Sequence, residues 1–252
     1  MDTFVKTSIN NKIATISFYN KAGNSLPSHL LNELANAFYD LDKNKIIQLI
    51  ILKSEGDTTF CAGASFDELL SISNFEEGST FFSGFAHVIN NMRKCSKIII
   101  GEVTGKAVGG GVGLISACDY VFATTNSSIK LSELAIGIGP FVIEPAVSRK
   151  IGQMAMGEMA LEPTQWKTSE WAHKNGLYNK IFDNSDDLKA SLSQYSLELS
   201  SYNPEALSEL KKVLWNGIEN WDHLLFERAA ISGRLVLSDF TKNALSQFKN
   251  KQ

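Results

Sequence analysis

The residues best suited to chemistry lie in Gly105-Lys106-Ala107-Val108-Gly109-Gly110-Gly111-Val112-Gly113, the densest glycine run of the chain. Glycines at a strand-to-helix turn let backbone N–H groups come close to a bound atom, and a helix N-terminus adds partial positive charge there. Such a turn can hold a phosphate or stabilise an oxyanion. The phosphate readings are weak: Gly109 to Gly113 does not spell the three-glycine dinucleotide fingerprint, and no Gly-Lys-Ser/Thr follows. An oxyanion site is the sharper expectation. The alternative is a tight turn whose glycines only let helix and strand pack closely. A second turn of small residues, Thr58-Thr59-Phe60-Cys61-Ala62-Gly63-Ala64-Ser65, comes earlier in the chain. Two such turns at strand ends can each aim one N–H at the same point. A thioester oxygen held by both can become an enolate oxygen, because its charge develops against fixed dipoles. The neighbouring carbon then becomes acidic enough for a single carboxylate to move protons on and off it. Glu133, at a strand terminus just after the glycine helix, is the best-placed carboxylate.

The elements that must position these groups follow from periodicity. Lys97 to Thr104 reads as a buried strand entering the glycine run, and Leu114 to Asp119 as the body of a short helix leaving it. Lys12 to Tyr19 alternates apolar and polar residues and reads as a strand. After a loop at Asn20 to Ser25, Pro27 suits the first turn of a helix that carries Leu30, Leu31, Leu34, Ala35, Phe38 and Leu41 on one face. A buried strand follows at Ile46 to Lys53, and strand–helix–strand in this order predicts a right-handed crossover and a parallel sheet. A helix starts near Phe66. A longer one at Glu76 to Lys94 turns Phe81, Phe82, Phe85, Val88, Ile89 and Met92 inward, as core. Asp119 to Ala123 and Ser128 to Ser132 are further strands, and a loop passes into a helix between Gly137 and Gly152. Strands thin out beyond Phe182. The fold class expected is α/β, with residues 1–185 as the core and 186–252 as a C-terminal helical region.

Composition narrows the function. The chain of 252 residues is 44% hydrophobic and 20% charged, with a net charge of −3, ordinary for a globular protein and without a basic patch for nucleic acid. No stretch is long and apolar enough for a membrane span, and the N-terminus lacks the pattern of a secretory signal. The three cysteines form no CxxC pair and suggest reduced thiols in a cytoplasm. Four scattered histidines give no metal-ligand spacing, so no metal is expected.

Several motifs in order then become specific: Lys21-Ala22-Gly23-Asn24-Ser25-Leu26, Phe60-Cys61-Ala62-Gly63-Ala64, the run Gly105 to Gly111, Cys118-Asp119, and Leu131-Ser132-Glu133 followed by Gly137 and Pro140. Together they resemble the enoyl-CoA hydratase/isomerase (crotonase) superfamily, from about residue 12 to 182. The resemblance implies a ββα spiral core and a helical C-terminus that builds homotrimers, or hexamers as dimers of trimers. It implies an acyl-CoA thioester substrate, with coenzyme A as part of that substrate and no separate cofactor. It assigns the N–H groups of Ala64 and Gly110 to the oxyanion hole and Glu133 to acid/base work. It places Lys21, Ala22, Ala62, Gly63, Gly109, Pro140 and Phe141 along the CoA and acyl path, and Phe248 near the adenine of a neighbouring subunit.

One departure bears on the reaction. Typical hydratases of the superfamily carry a first catalytic glutamate three residues beyond the oxyanion glycine, where this chain has Gly113. A lone carboxylate favours an isomerase, which removes and returns one proton. The segment Leu131 to Gly152, however, is similar to bacterial methylglutaconyl-CoA hydratases, a branch that tolerates glycine at this position. Glu144 stands where that branch has serine. The resemblance therefore implies hydration of an α,β-unsaturated acyl-CoA, 3-methylglutaconyl-CoA in leucine breakdown first, with a Δ3-Δ2 enoyl-CoA isomerase and a non-catalytic acyl-CoA-binding subunit as alternatives. Glu144 reads as a helix-start residue rather than a replacement carboxylate. Arg149 and Lys150 are the nearest cations for a distal carboxylate.

Overall fold

The computed structural model describes residues 2–56 and 58–249, and for Phe248 and Lys249 the backbone alone. In chain order the first half contains β1 (Phe4–Asn10), β2 (Ile13–Tyr19), α1 (Ser28–Lys43), β3 (Leu49–Ser54), β4 (Thr59–Cys61), α2 (Phe66–Ser71), α3 (Phe75–Lys94), β5 (Ile98–Val103) and β6 (Lys106–Val108). Then come α4 (Gly110–Ala117), β7 (Tyr120–Thr124), β8 (Ser128–Lys130), a 3-10 turn at Glu133–Ile136, α5 (Glu144–Leu161), β9 (Lys167–Thr168), α6 (Ser169–Lys174) and β10 (Lys180–Phe182). Four helices close the chain: α7 (Ser185–Leu199), α8 (Pro204–Leu214), α9 (Trp221–Leu235) and α10 (Asp239–Lys249).

Two sheets organise the molecule. The larger has the strand order β1-β2-β3-β5-β7-β10, parallel throughout except for the β1–β2 hairpin. The smaller has the order β4-β6-β8-β9. The run Ile98-Ile99-Ile100 is apolar without alternation because β5 is buried on both faces. Ile98 and Ile100 meet Leu188, Leu192 and Leu207 of α7 and α8, while Ile99 and Val103 belong to the main core with α1, α3 and α4. The α/β class holds.

Some boundaries differ from the sequence-based expectations, for local reasons. The strand expected from Ile46 begins at Leu49, since the Asn44 side chain accepts from the Ile46 N–H and holds that segment in a turn, leaving Ile46 exposed. Ser128 to Ser132 is a strand only as far as Lys130. The short helix after the glycine run starts at Gly110, inside the run, because close neighbours rather than helix propensity select glycine there. Edge strand β1 lies outside the expected elements, for it exposes Thr7 to Asn10 and lacks a buried stripe.

The tail packs on its own chain. Trp215, Trp221 and Leu225 are buried in the main core, with Leu224 and Phe226 half-buried beside them. Helices α3 and α9 cross at Gly78 and Gly233, so closely that a Cβ on Gly78 would stand 2.7 Å from the Gly233 carbonyl oxygen. Helix α8 is anchored by Lys211, whose buried ammonium donates to the carbonyls of Met92 and Lys97 and pairs with Asp119 at 3.0 Å. Asp119 also accepts from the Ile99 N–H and from Trp215 Nε1, so its role is to tie β5 and the tail together. Removing one partner of a buried pair leaves the other charge uncompensated. Lys211→Ala is therefore expected to cost roughly 3–5 kcal/mol in urea unfolding; a loss below about 1 kcal/mol would show that the pair is not what anchors α8.

Candidate active site

The smaller sheet aims the two small-residue turns at one another. Leu26 donates to the Gly63 carbonyl at 2.8 Å and accepts from the Ser65 N–H at 3.2 Å, an isolated parallel bridge with Leu26 opposite Ala64. In a parallel bridge of this kind the opposite residue's own N–H faces the other way. The Ala64 N–H is thus turned away from Leu26 and has no backbone acceptor among the described residues. At the other turn Gly109 takes φ 52°, open to glycine at little cost, and serves as N-cap of α4. Gly110 is the first helical residue, whose N–H has no partner within the helix. The two turns touch: a Cβ on Gly63 would lie 3.6 Å from the Gly110 nitrogen.

The β6–β8 register brings the carboxylate to the same place. Val108 lies opposite Lys130, the Gly109 N–H donates to the Lys130 carbonyl at 2.9 Å, and the chain turns through Ser132 into Glu133. A Cβ on Gly109 would stand 2.6 Å from Glu133 Oε1, so glycine there is what lets the carboxylate reach the N-terminus of α4. Glu133 as a residue is half-buried, yet its Oε2 is sealed from solvent and has no hydrogen-bond partner. Burial pushes its carboxyl up to about 7.

All of this faces one cavity of about 80 Å³. Of the residues predicted from sequence, Ala62, Gly63, Ala64, Gly109, Gly110, Glu133, Pro140 and Phe141 line it together. Lys21 and Ala22 do not. They are exposed on the loop whose Gly23 carbonyl accepts from the Ala62 N–H at 2.9 Å, beside the exposed Ala62. The side chain of Phe248 lies outside the described residues. Periodicity does not reveal the walls: the apolar Leu69 of α2, Phe82 and Phe85 of α3, Val142 and Ile143 before α5, and the polar Ser232 of α9. The Phe stripe of α3 is core, as expected, and in part cavity wall as well. Its signal is indirect, since a Cβ on Gly110 would sit 2.2 Å from Phe85 Cε1.

None of the three other charges considered lines the cavity. Glu144 opens α5, accepts from Ser148 Oγ at 2.6 Å and lies 3.6 Å from Arg228, the position of a helix-start residue. Arg149 stacks on Trp215 and donates to the Leu214 carbonyl, while Lys150 donates to the Asp119 carbonyl. Among the described residues Glu133 is the single ionisable side chain in the cavity wall.

A carboxyl raised to about 7 in the folded chain has a signed consequence. Relative to an unfolded value near 4.5, the native state holds the proton more tightly. Glu133 therefore costs nothing below about pH 4.5, and its penalty grows through the window to about pH 7 and is full above it. The full penalty is roughly 3 kcal/mol. Glu133→Gln is expected to be more stable than the parent at pH 8 by about that amount, with the gap closing toward pH 5. Urea titrations at the two pH values check this, and an equal gap at both would overturn it.

A sealed carboxylate beside two N–H groups that have no backbone acceptor among the described residues is the set of parts that proton transfer next to an oxyanion requires. Residues 8–247 match the family model described as enoyl-CoA hydratase/isomerase, and the chain belongs to this family of enzymes, the crotonase superfamily. It is 26% identical to the short-chain-enoyl-CoA hydratase of Clostridium acetobutylicum over 244 residues, 96% of this chain and 92% of that protein. Over 117 residues, 46% of this chain and 34% of the relative, it is 35% identical to the mitochondrial methylglutaconyl-CoA hydratase of Homo sapiens. An enoyl-CoA hydratase structure from Bacillus halodurans superposes with a TM-score of 0.90 at 23% identity, covering 97% of this chain and 100% of that one, which shows the shared fold. Among the described residues no helix is long and apolar enough to cross a membrane.

Proposed function

We propose that this chain hydrates a short α,β-unsaturated acyl-CoA thioester, with Glu133 as its one acid/base. The observation that carries the reading is the sealed, half-unpartnered carboxylate of Glu133 set against the N-terminus of α4. The thioester oxygen accepts from the N–H groups of Ala64 and Gly110. Ionised Glu133 takes a proton from water as the water oxygen bonds to the β-carbon, and the electron pair of the double bond moves into the enolate. The resulting carboxylic acid returns that proton to the α-carbon, so the net change is the addition of one water. A carboxyl that titrates near neutrality can act in both directions.

The small apolar cavity supports an uncharged acyl group of a few carbons, in keeping with the short-chain hydratase relative. The similarity of Leu131 to Gly152 to methylglutaconyl-CoA hydratases, and the 35% identity over 117 residues, support 3-methylglutaconyl-CoA instead. Against that acid stands the commitment of Arg149 and Lys150 elsewhere, which leaves its distal carboxylate no cation in the described wall. A second reaction, Δ3-Δ2 isomerisation by the same groups, is favoured by the lack of a second carboxylate to hold a water. Turnover on crotonyl-CoA, 3-methylglutaconyl-CoA and a 3-enoyl-CoA, with product mass, separates these. Gain of one water, fastest on crotonyl-CoA, supports the proposal. An unchanged mass from the 3-enoyl thioester without hydration establishes the isomerase, and silence on all three despite acyl-CoA binding establishes a non-catalytic subunit.

A further inference from the structure

Position 113 departs from the usual hydratase pattern, and the structure supplies a physical counterpart to that departure. Gly113 lies one helical turn beyond Gly110 on α4, and a Cβ there would stand 2.4 Å from Ile143 Cγ2 and 2.8 Å from Ile143 Cβ. Because the Cβ of Ile143 is itself in the contact, no rotation about χ1 would clear it. Ile143 cannot readily move either. It is 4% exposed, is the N-cap residue of α5 just before Glu144 and Pro145, and has a β-branched side chain with few rotamers. The same side chain is part of the cavity wall beside Val142.

We infer that Ile143 is the specificity-determining residue of this cavity. Its side chain occupies the volume from which a glutamate at position 113 would work, and it limits the room left for the acyl group. The one-carboxylate chemistry and the short acyl preference are thereby two results of one packing contact. This inference rests on the acyl-thioester reading above, and its test is chosen so that the two can fail separately.

Ile143→Ala is expected to favour the six-carbon substrate hexenoyl-CoA over crotonyl-CoA, shifting their ratio of kcat/KM values by about 10- to 100-fold, the usual discrimination of an apolar pocket per methylene. Calorimetry with saturated butyryl-CoA and hexanoyl-CoA reads the same shift from binding alone, so it stands even if the parent chain turns over no enoyl-CoA. Gly113→Glu alone should lose activity, and Gly113→Glu combined with Ile143→Gly should recover at least about tenfold over that single variant. If Ile143→Ala fails to fold, Ile143→Val should shift the chain-length ratio in the same direction by a smaller factor. An unchanged ratio in both turnover and binding overturns the inference. So does a Gly113→Glu enzyme as active as the parent with Ile143 in place.

Discussion

Glu133→Gln should lose turnover by about ten-thousand-fold while its affinity for acyl-CoA stays within about threefold. The size follows from the site. General acid–base groups contribute about 10²–10⁴-fold, and in the proposed reaction one carboxylate performs both proton transfers with no second ionisable side chain in the described wall to share them. Glutamine keeps the shape of the side chain and cannot exchange the proton. Binding should survive because the main-chain N–H groups proposed to hold the thioester oxygen are left in place by the substitution. The variant should also gain stability above neutral pH, which separates loss of chemistry from loss of fold. Steady-state kinetics, calorimetry and a urea titration at pH 8 make the three measurements. Turnover within about tenfold of the parent would remove Glu133 from the mechanism.

Gly110→Ala should reduce kcat by about 10²–10³-fold, the usual effect of losing one oxyanion donor. The donor is a backbone N–H, so no side-chain deletion can take it away, but crowding can displace it. The added methyl would meet Phe85 at 2.2 Å from Cε1 and 2.7 Å from Cζ. Phe85 is itself buried and packed edge-on against Phe81, so the N-terminus of α4 has to yield. Pairing Gly110→Ala with Phe85→Leu should return at least about tenfold of the lost kcat, a recovery that a merely destabilised fold would not show. A Gly110→Ala enzyme within about threefold of the parent would mean that this N–H does not hold the developing charge.

The sequence discloses the reacting groups far better than their surroundings. Glycine density and a carboxylate at a strand end are local signals that lead to the two turns and to Glu133, whereas Ala64 and Gly110 are singled out within those turns by the family resemblance. The walls come from residues that are ordinary core in any local pattern. Ile143, Phe85 and Ser232 belong to three distant segments, and nothing in their periodicity says that their other side meets an empty space. The helical glycines mislead for the same reason, because Gly111 and Gly113 answer to Cys61 and Ile143 across the packing, not to helix propensity. Edge strand β1 escapes notice since an exposed strand has no buried stripe to show.

The crossing of Gly78 with Gly233 also bears on how the site is enclosed. Helix α9 reaches the cavity through Ser232, next to that crossing, and α10 lies against the turn that carries Glu133, where a Cβ on Gly137 would meet Thr241 at 2.5 Å. Every group assigned to the chemistry lies at or before residue 133, yet α9 supplies part of the wall around them and α10 supports the turn that carries Glu133.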